Sequence, residues 1–395
     1  MIYLLTHNFR LILQLSFYYL LRCLFRVYYI FPIKNDKIIF VSYGGNQYTC
    51  SPYAIYKELV DRYPNQFQIF WISKTQEKAG LRNCDELLFP KGLKYWYHVL
   101  TCTVLIDNDG LPPYIPFRKN QYVVNTWHGG GLFKRTYGNV TKSESIYVKL
   151  LYKMCEGQTK LFLSSCRVWS ERVARRAFYY NGEILSSGMP RNDIFFKDDN
   201  GVVKKVKSYF KIKASEKIVL YAPTFRGGLR NRFNTGSSYN LDVERLIRTL
   251  EDREKCKYVF IYRGHHAGRH ETNVKYLDAT NYPDMQELMA AADVFISDYT
   301  SALWDFSLTK KPCFIFATDF DEYVISPGFE SDYREWPFPI SKSNEELVEK
   351  IKSFNKQDYE KAVDHYHELY GSYEKGNATD VFIKHLISVL SNIRK

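Results

Sequence analysis

The sequence predicts an α/β protein with two doubly wound, Rossmann-like domains, preceded by an amino-terminal helix at a membrane interface. Three observations predict it. Short β-branched or aromatic runs alternate with helical spacing from Lys37 onward, the pattern of parallel sheets with helices on both faces. Two of these runs, Gln121–Asn125 and Tyr258–Tyr262, lead straight into histidine loops, Thr126-Trp127-His128-Gly129-Gly130-Gly131 and Arg263-Gly264-His265-His266. An imidazole just past a strand sits at the carboxyl edge of an open sheet, where such folds bind ligands. Finally, 395 residues suit two ordinary domains better than one core. One histidine edge in each half predicts two domains facing a cleft.

Residues 1–36 form the first expected element. They are rich in Leu, Tyr and Phe but interrupted by Arg10, Arg22 and Arg26, and the longest uncharged run, Leu11–Leu21, has 11 residues. That falls short of the roughly 20 needed to span a bilayer, and no small-residue cleavage site follows. A basic, aromatic, amphipathic helix lying on the membrane fits this composition; the alternative is a helix docked on the protein itself.

Residues 37–195 are the expected amino-terminal domain. Ile38–Tyr43 reads as a strand ending in Gly44-Gly45, Pro52–Val60 as a helix, and Phe67–Ser73 and Val104–Asp107 as strands, the latter closing on Asn108-Asp109-Gly110. Gln121–Asn125 follows. Ser143–Met154 and Ser170–Tyr179 have helical spacing around a short strand at Leu161–Ser164. A turn-rich stretch, Ser187–Asp193, then the charged run Lys197–Lys207, marks the junction. The carboxy-terminal domain, 196–395, restarts the alternation. Its strands are Lys217–Tyr221, Tyr258–Tyr262, Val294–Ser297 and Cys313–Phe316; its helices are Leu241–Leu250, Met285–Ala292, Ala302–Leu308, Glu345–Phe354 and Tyr359–Leu369. Leu229–Ser238 reads as a polar loop.

With 55 basic and 43 acidic residues the net charge is +12, a surface that attracts polyanions. Nucleic acid is excluded as a partner because no zinc-finger spacing, RNA-binding aromatic signature or base-reading basic helix is present. An anionic membrane or a phosphate polymer remains. The eight cysteines, Cys23, Cys50, Cys84, Cys102, Cys155, Cys166, Cys256 and Cys313, include no CxxC pair. They read as reduced core thiols of an intracellular protein, without a structural zinc.

The chemistry-bearing residues cluster at strand ends. Ser297-Asp298-Tyr299-Thr300-Ser301 joins a strand to a helix, where Thr300 or Ser301 serves as N-cap and the free N–H groups face an anion. Arg226 and Arg263, ending neighbouring strands, favour a phosphate or diphosphate there; without them an ordinary cap is the simpler reading. Asp298 and Asp305 lie beside that site, Asp305 one helical turn after Ser301. His128, on its glycine loop, is placed to take a proton from an attacking hydroxyl near neutral pH; the plain alternative is a hydrogen-bonded histidine in a tight turn. Adjacent His265 and His266 point to opposite sides of an extended backbone and make poor co-ligands of one ion. No metal is expected, and His265 is read as a donor to a leaving phosphate.

In combination, SYGGNQYTCSPYAIY (42–56), NTWHGGGLFKR (125–135), GMPRND (188–193), YAPTFRGG (221–228), YRGHH (262–266), SDYTSALWDFSLTKKPCFIF (297–316) and FDEYVISPGFESDY (320–333) are familiar. The chain resembles the CDP-glycerol glycerophosphotransferase family, which primes or polymerises teichoic-acid and related capsular phosphopolymers. The resemblance implies a glycosyltransferase-B-type fold with a membrane-associating amino terminus at the cytoplasmic face of the membrane. It also implies an acceptor-side first domain and a second domain that binds CDP-glycerol or another CDP-alcohol. His128 then matches the family's base, and His265 with Arg263 its second histidine motif near the diphosphate. Thr300 and Ser301 match the hydroxyls at the diphosphate-binding helix start.

The chain departs from the usual pattern in Gly130-Gly131-Leu132 after the first histidine, and in Arg-Gly-His-His where Arg-x-His-Pro is common. The expected reaction transfers glycerol phosphate to a hydroxyl of a lipid-linked polymer, releases CMP and needs no cofactor. His128 and His265 are its expected catalytic residues; Arg226, Arg263, Asp298, Thr300, Ser301 and Asp305 hold substrate. The rivals are a nucleotide-sugar glycosyltransferase of the same fold and a non-catalytic polymer-assembly factor.

Overall fold

Runs of alternating apolar residues send successive side chains to opposite faces of a strand, and in the computed structural model both faces are covered. The structure describes residues 2–75, 77, 80–135, 150–151, 153–155, 157–197, 200–224, 241–264 and 276–394. The chain folds into two compact units.

The first unit comprises residues 1–128, 136–193 and 373–395. Its strands are β1 (Lys34–Phe40), β2 (Gln68–Ile72), β3 (Glu86–Leu88), β4 (Cys102–Asp107), β5 (Tyr122–Asn125), β6 (Thr159–Leu163) and β7 (Glu183–Leu185). They form one parallel sheet in the order β3-β2-β1-β4-β5-β6-β7. Ile38 and Phe40 pack on one face with Leu59, Trp71 and Val104. Ile39 and Val41 pack on the other with Phe70, Trp96, Val99 and Leu105.

The second unit comprises residues 129–135 and 194–372. Its strands are β8 (Lys217–Tyr221), β9 (Tyr258–Tyr262), β10 (Leu277–Asp278), β11 (Val294–Ser297), β12 (Cys313–Phe316) and β13 (Ile340–Ser341). They run parallel in the order β10-β9-β8-β11-β12-β13. Val219, Tyr221, Phe260, Ile296 and Phe314 build a core with Leu246 and Leu250 of helix Val243–Glu254. In each sheet the strand order reverses once, between β1 and β4 and between β8 and β11. Such a reversal opens a crevice at the carboxyl edge where ligands bind.

The division differs from the expected 1–36, 37–195 and 196–395: residues 1–36 lie in the first unit, the cut falls after Asp193, and two segments cross over. Gly129–Arg135 belongs to the second unit, and Tyr373–Lys395 returns to the first. The return has an apolar cause: Phe382, Ile383, Leu386 and Leu390 of helix Ala378–Arg394 are buried against the β1 and β4 face. It also has a polar one. Asp193, ending the GMPRND stretch, accepts hydrogen bonds from Ala378 N (2.9 Å) and Thr379 N (2.8 Å) at the start of that helix. Asp193→Ala leaves both N–H groups buried without that acceptor. It is expected to cost about 1–3 kcal/mol in urea unfolding, whereas Asp193→Asn should recover part of the loss.

The charged run expected at the junction folds as helix Asn200–Tyr209, and Ser170–Ala177 winds as a π-helix. Of the expected Ser143–Met154 helix, 143–149 and 152 lie outside the described residues, as does the loop Leu229–Ser238. Four cysteines, Cys50, Cys102, Cys166 and Cys313, are buried thiols, whereas Cys23 is exposed.

At the amino terminus, helix Ile2–Phe25 and a 3-10 turn, Arg26–Ile30, are longer than the uncharged run implied. Leu11–Ile30 is long and apolar enough to cross a membrane by length and composition. One side docks on the first unit. Phe25 stacks on Trp96, Arg22 donates to the carbonyls of Pro113 (3.2 Å) and Met154 (2.6 Å), and Tyr29 Oη donates to that of Pro116 (2.5 Å). Leu13, Phe17, Leu20, Leu24 and Ile30 are exposed.

Candidate active site

In the first unit, β5 ends at Asn125 and the chain turns sharply. Asn125 Oδ1 accepts from Trp127 N (2.7 Å) and Asp107 O accepts from Thr126 N (2.7 Å), while Trp127 itself takes a positive φ of 53°. Bulky residues rarely do so. The turn is held because the indole packs on Phe178 (centroids 4.8 Å apart) and stacks on the His128 ring (4.5 Å).

His128 Nδ1 lies 2.7 Å from the carbonyl oxygen of Asn108 and 3.5 Å from Asp109 Oδ1. A carbonyl can only accept, so the neutral ring carries its proton on Nδ1 and leaves the Nε2 lone pair open. Desolvation lowers the pKa of His128 from its ordinary value; the Asn108 carbonyl and Asp109 oppose that shift, and buried Arg191 adds to it. One third of the side chain still meets solvent.

The turn after β4 supports this arrangement. Asp107 Oδ1 accepts from Asp109 N (3.0 Å) and Gly110 N (2.6 Å). Asn108 Oδ1 accepts from Tyr43 N (2.8 Å) across the strand reversal. Burial raises the Asp107 carboxyl from 3.8 to about 7, against the pull of those two N–H groups. A carboxyl whose folded pKa exceeds its unfolded value adds stability below the unfolded pKa, and that contribution is lost as pH rises through the folded one. Asp107→Asn keeps the acceptor oxygen. It is therefore expected to flatten the fall in thermal midpoint between about pH 4 and pH 7, read by circular dichroism.

In the second unit, β11 ends at Ser297 beside β8, and Asp298 is fully buried. Its carboxylate accepts from Thr224 N (3.0 Å to each oxygen), Thr224 Oγ1 (2.8 Å) and Tyr299 N (2.7 Å). Asp298 thus braces the chain leaving β8. Thr300 Oγ1 accepts from Ala302 N (3.2 Å), whereas Ser301, at the N-cap position of the six-residue helix Ala302–Ser307, makes no side-chain capping bond. Of the two expected caps, Thr300 fills the role. Asp305 is buried and accepts from Gln286 Nε2 (3.3 Å). Arg263, at the end of β9, donates through Nη1 to the carbonyls of Ala279 (3.3 Å) and Tyr282 (2.7 Å). Part of its fork is therefore structural. Because β9, β8 and β11 are adjacent and parallel, Arg263, Thr224 and the Asp298–Ser301 turn share one sheet edge. His265 and Arg226 lie outside the described residues.

The glycine run after His128 packs within the second unit. A Cβ on Gly130 would stand 2.2 Å from Trp304 Cδ1, and one on Gly131, whose φ is 60°, 2.8 Å from Trp304 Cε3. The rest of Gly129–Arg135 is tied to the 320–333 stretch: Glu330 N donates to Phe133 O (2.8 Å), Ser331 Oγ to Leu132 O, and Arg135 Nε to Phe329 O (3.2 Å). Asn108, Asp109, Arg191 and Trp304 escaped sequence reasoning. The Asp-Asn-Asp-Gly string after a strand was the available signal for the first two; for Arg191 and Trp304 only their place in a motif pointed the way.

A family model described as CDP-Glycerol:Poly(glycerophosphate) glycerophosphotransferase matches residues 23–387. A teichoic acid poly(glycerol phosphate) polymerase of Bacillus subtilis (strain 168) is 29% identical over 349 residues, covering 83% of this chain and 45% of its own length. One from Bacillus spizizenii (strain ATCC 23059 / NRRL B-14472 / W23) is 27% identical over 381 residues, covering 92% and 95%. The chain therefore spans about half of the first relative and nearly all of the second. A solved structure of the wall teichoic acid polymerase TagF, as an H444N variant, superposes with a TM-score of 0.80 at 23% identity over 100% of this chain and 98% of that one; that likeness bears on the fold.

Proposed function

The chain belongs to the CDP-glycerol:poly(glycerophosphate) glycerophosphotransferase family, and from that premise we propose that it transfers glycerol phosphate from CDP-glycerol to a hydroxyl of a membrane-linked, teichoic-acid-like or capsular polymer. The observation that carries the reading is His128, with Nδ1 anchored on the Asn108 carbonyl and Nε2 open. Nε2 takes the proton of the acceptor hydroxyl as its oxygen bonds to the phosphorus that bears glycerol. The bond from that phosphorus to the bridging oxygen breaks, and CMP leaves with that oxygen. Phosphoryl transfer is governed by positioning and charge stabilisation. On the donor side this falls to Arg263, to Thr300 and Ser301, and to Arg226 and His265 by family resemblance. Asp298 and Asp305 brace that edge rather than hold the substrate.

The amino-terminal helix fits attachment to the cytoplasmic face of the membrane. Its inward side is anchored by Arg22 and Tyr29, and its outward side is apolar and aromatic. The net charge of +12 draws the protein to anionic lipid.

The test incubates the full chain with an acceptor membrane fraction and, separately, CDP-glycerol, CDP-ribitol and nucleotide sugars. CMP release with CDP-glycerol supports the reading. Release with CDP-ribitol alone changes the alcohol. Release of a nucleoside diphosphate from a sugar donor makes the protein a glycosyltransferase, and turnover of no donor leaves it an assembly factor.

A further inference from the structure

Strand β3 ends at Leu88, and Phe89-Pro90-Lys91-Gly92 turns the chain into helix Leu93–Thr101. Gly92 N donates to Phe89 O (3.5 Å), and Lys91 takes a positive φ of 80°. The turn leaves two large apolar side chains in solvent. Phe89 is 61% exposed and Leu93 81%, although Leu88 before them and Tyr95 and Trp96 after them are buried. One exposed leucine is ordinary; two such side chains at one turn, beside a larger apolar surface, mark an interaction site. Lys91 and Lys94, both exposed, lie among them. Lys94 also reaches Glu86 (2.6 Å), an exposed pair that costs little to part.

The larger surface is the outward side of the amino-terminal segment. Helix Leu93–Thr101 docks on that segment: Trp96 stacks on Phe25, and Tyr97 meets Phe31 edge-on (5.2 Å). Residues three and four apart share one side of a helix. Leu93 therefore lies one turn before Trp96 and Tyr97, on the side that meets the amino-terminal segment, and Phe89 precedes it across the turn. Val27, Ile30 and Phe31 of that segment are exposed, and so is Arg26. Neither Phe89–Lys94 nor Arg26–Phe31 contains an acidic residue. Apolar side chains set among cations match an anionic bilayer, whose acyl boundary takes the former and whose phosphates take the latter.

We propose that the Phe89–Lys94 turn is a second membrane contact, seating Phe89 and Leu93 in the bilayer on which the amino-terminal helix lies. Lys91 and Lys94 meet its anionic head groups. The proposal rests on the membrane attachment read above and adds an orientation to it. A helix alone leaves the protein free to roll about the helix axis. A second contact, on a different element, stops that rotation and holds one face of the first unit to the lipid.

Flotation of the full chain with vesicles of phosphatidylglycerol and phosphatidylcholine tests it. The double variant Phe89→Ser/Leu93→Ser is expected to weaken partitioning at least ~10-fold, the order expected when two large apolar side chains leave the interface. Leu93→Trp should tighten it at least ~2-fold, because indole rings favour that interface; a folding defect cannot produce such a gain. Wild-type partitioning in either variant overturns the proposal. Equal partitioning of the wild type onto vesicles of phosphatidylcholine alone also overturns it, since the lysines would then have no role. So does a wild-type dimer in vesicle-free sedimentation that the serine variant dissolves, which assigns the surface to a second copy. The two readings fail separately. If Phe17→Ser/Leu20→Ser loses binding and the turn variants do not, the helix alone attaches the protein. If the wild type stays unbound, attachment itself fails, and the second contact with it.

Discussion

Replacing His128 with alanine is expected to lower kcat for CMP release by roughly 10²–10⁴-fold, the usual contribution of a positioned general base, while leaving CDP-glycerol affinity within about twofold. The expectation rests on the tautomer. With Nδ1 donating to the Asn108 carbonyl, the basic lone pair is on Nε2, so removal of the ring deletes the proton acceptor, together with that bond and the stacking on Trp127. The pH profile adds a second reading. Desolvation lowers the His128 pKa below 6.5, and burial favours the neutral ring, which is the form able to accept a proton. The acid limb of kcat/KM should therefore fall below pH 6.5 rather than above it, and His128→Ala should abolish that limb. A variant that retains full turnover, or a wild-type limb well above that pH, removes His128 as the base.

Trp304→Ala is expected to cost about 3–5 kcal/mol, the range for truncating a buried tryptophan, seen as a lower urea midpoint for the second unit. Trp304 is fully buried. Its ring meets His367 (centroids 4.5 Å apart), Tyr366 (5.5 Å) and Tyr370 (6.2 Å), and its other side is covered by Gly130 and Gly131. The converse change, Gly130→Ala, forces a methyl group into the indole and should cost about 1–3 kcal/mol by overpacking. If Gly130→Ala is as stable as the wild type, the glycine run is not packed on Trp304 as described.

Much of the fold was legible. Parallel strands buried on both faces read as near-continuous apolar runs, so β2, β4, β5, β8, β9, β11 and β12 stood out within a residue or two. The edge strands β3, β7, β10 and β13 have two or three residues each, too few to show a period. The helix Ala378–Arg394 has an ordinary amphipathic pattern, and nothing in that pattern says which sheet it covers. The turn that carries His128 was legible because three glycines follow the histidine directly after a β-like run. Asp298 was legible as a residue but not in its role, since an aspartate at a strand end looks the same whether it meets a ligand or backbone and side-chain donors of its own protein.

The residues alone pointed to two doubly wound α/β sheets, the histidine turn after β5, the strand-to-helix turn at Asp298–Ser301 and the family. Those are local properties, set by apolar periodicity, turn chemistry and strings of neighbouring residues. Packing alone reveals that the β4 turn holds His128 by its Nδ1, that Trp304 receives the glycine run, and that helix Ala378–Arg394 returns to the first sheet. Each of those depends on which strands lie side by side. In a parallel sheet, neighbouring strands are joined by crossovers of a dozen residues or more, so the side chains that meet at the edge are far apart in the chain.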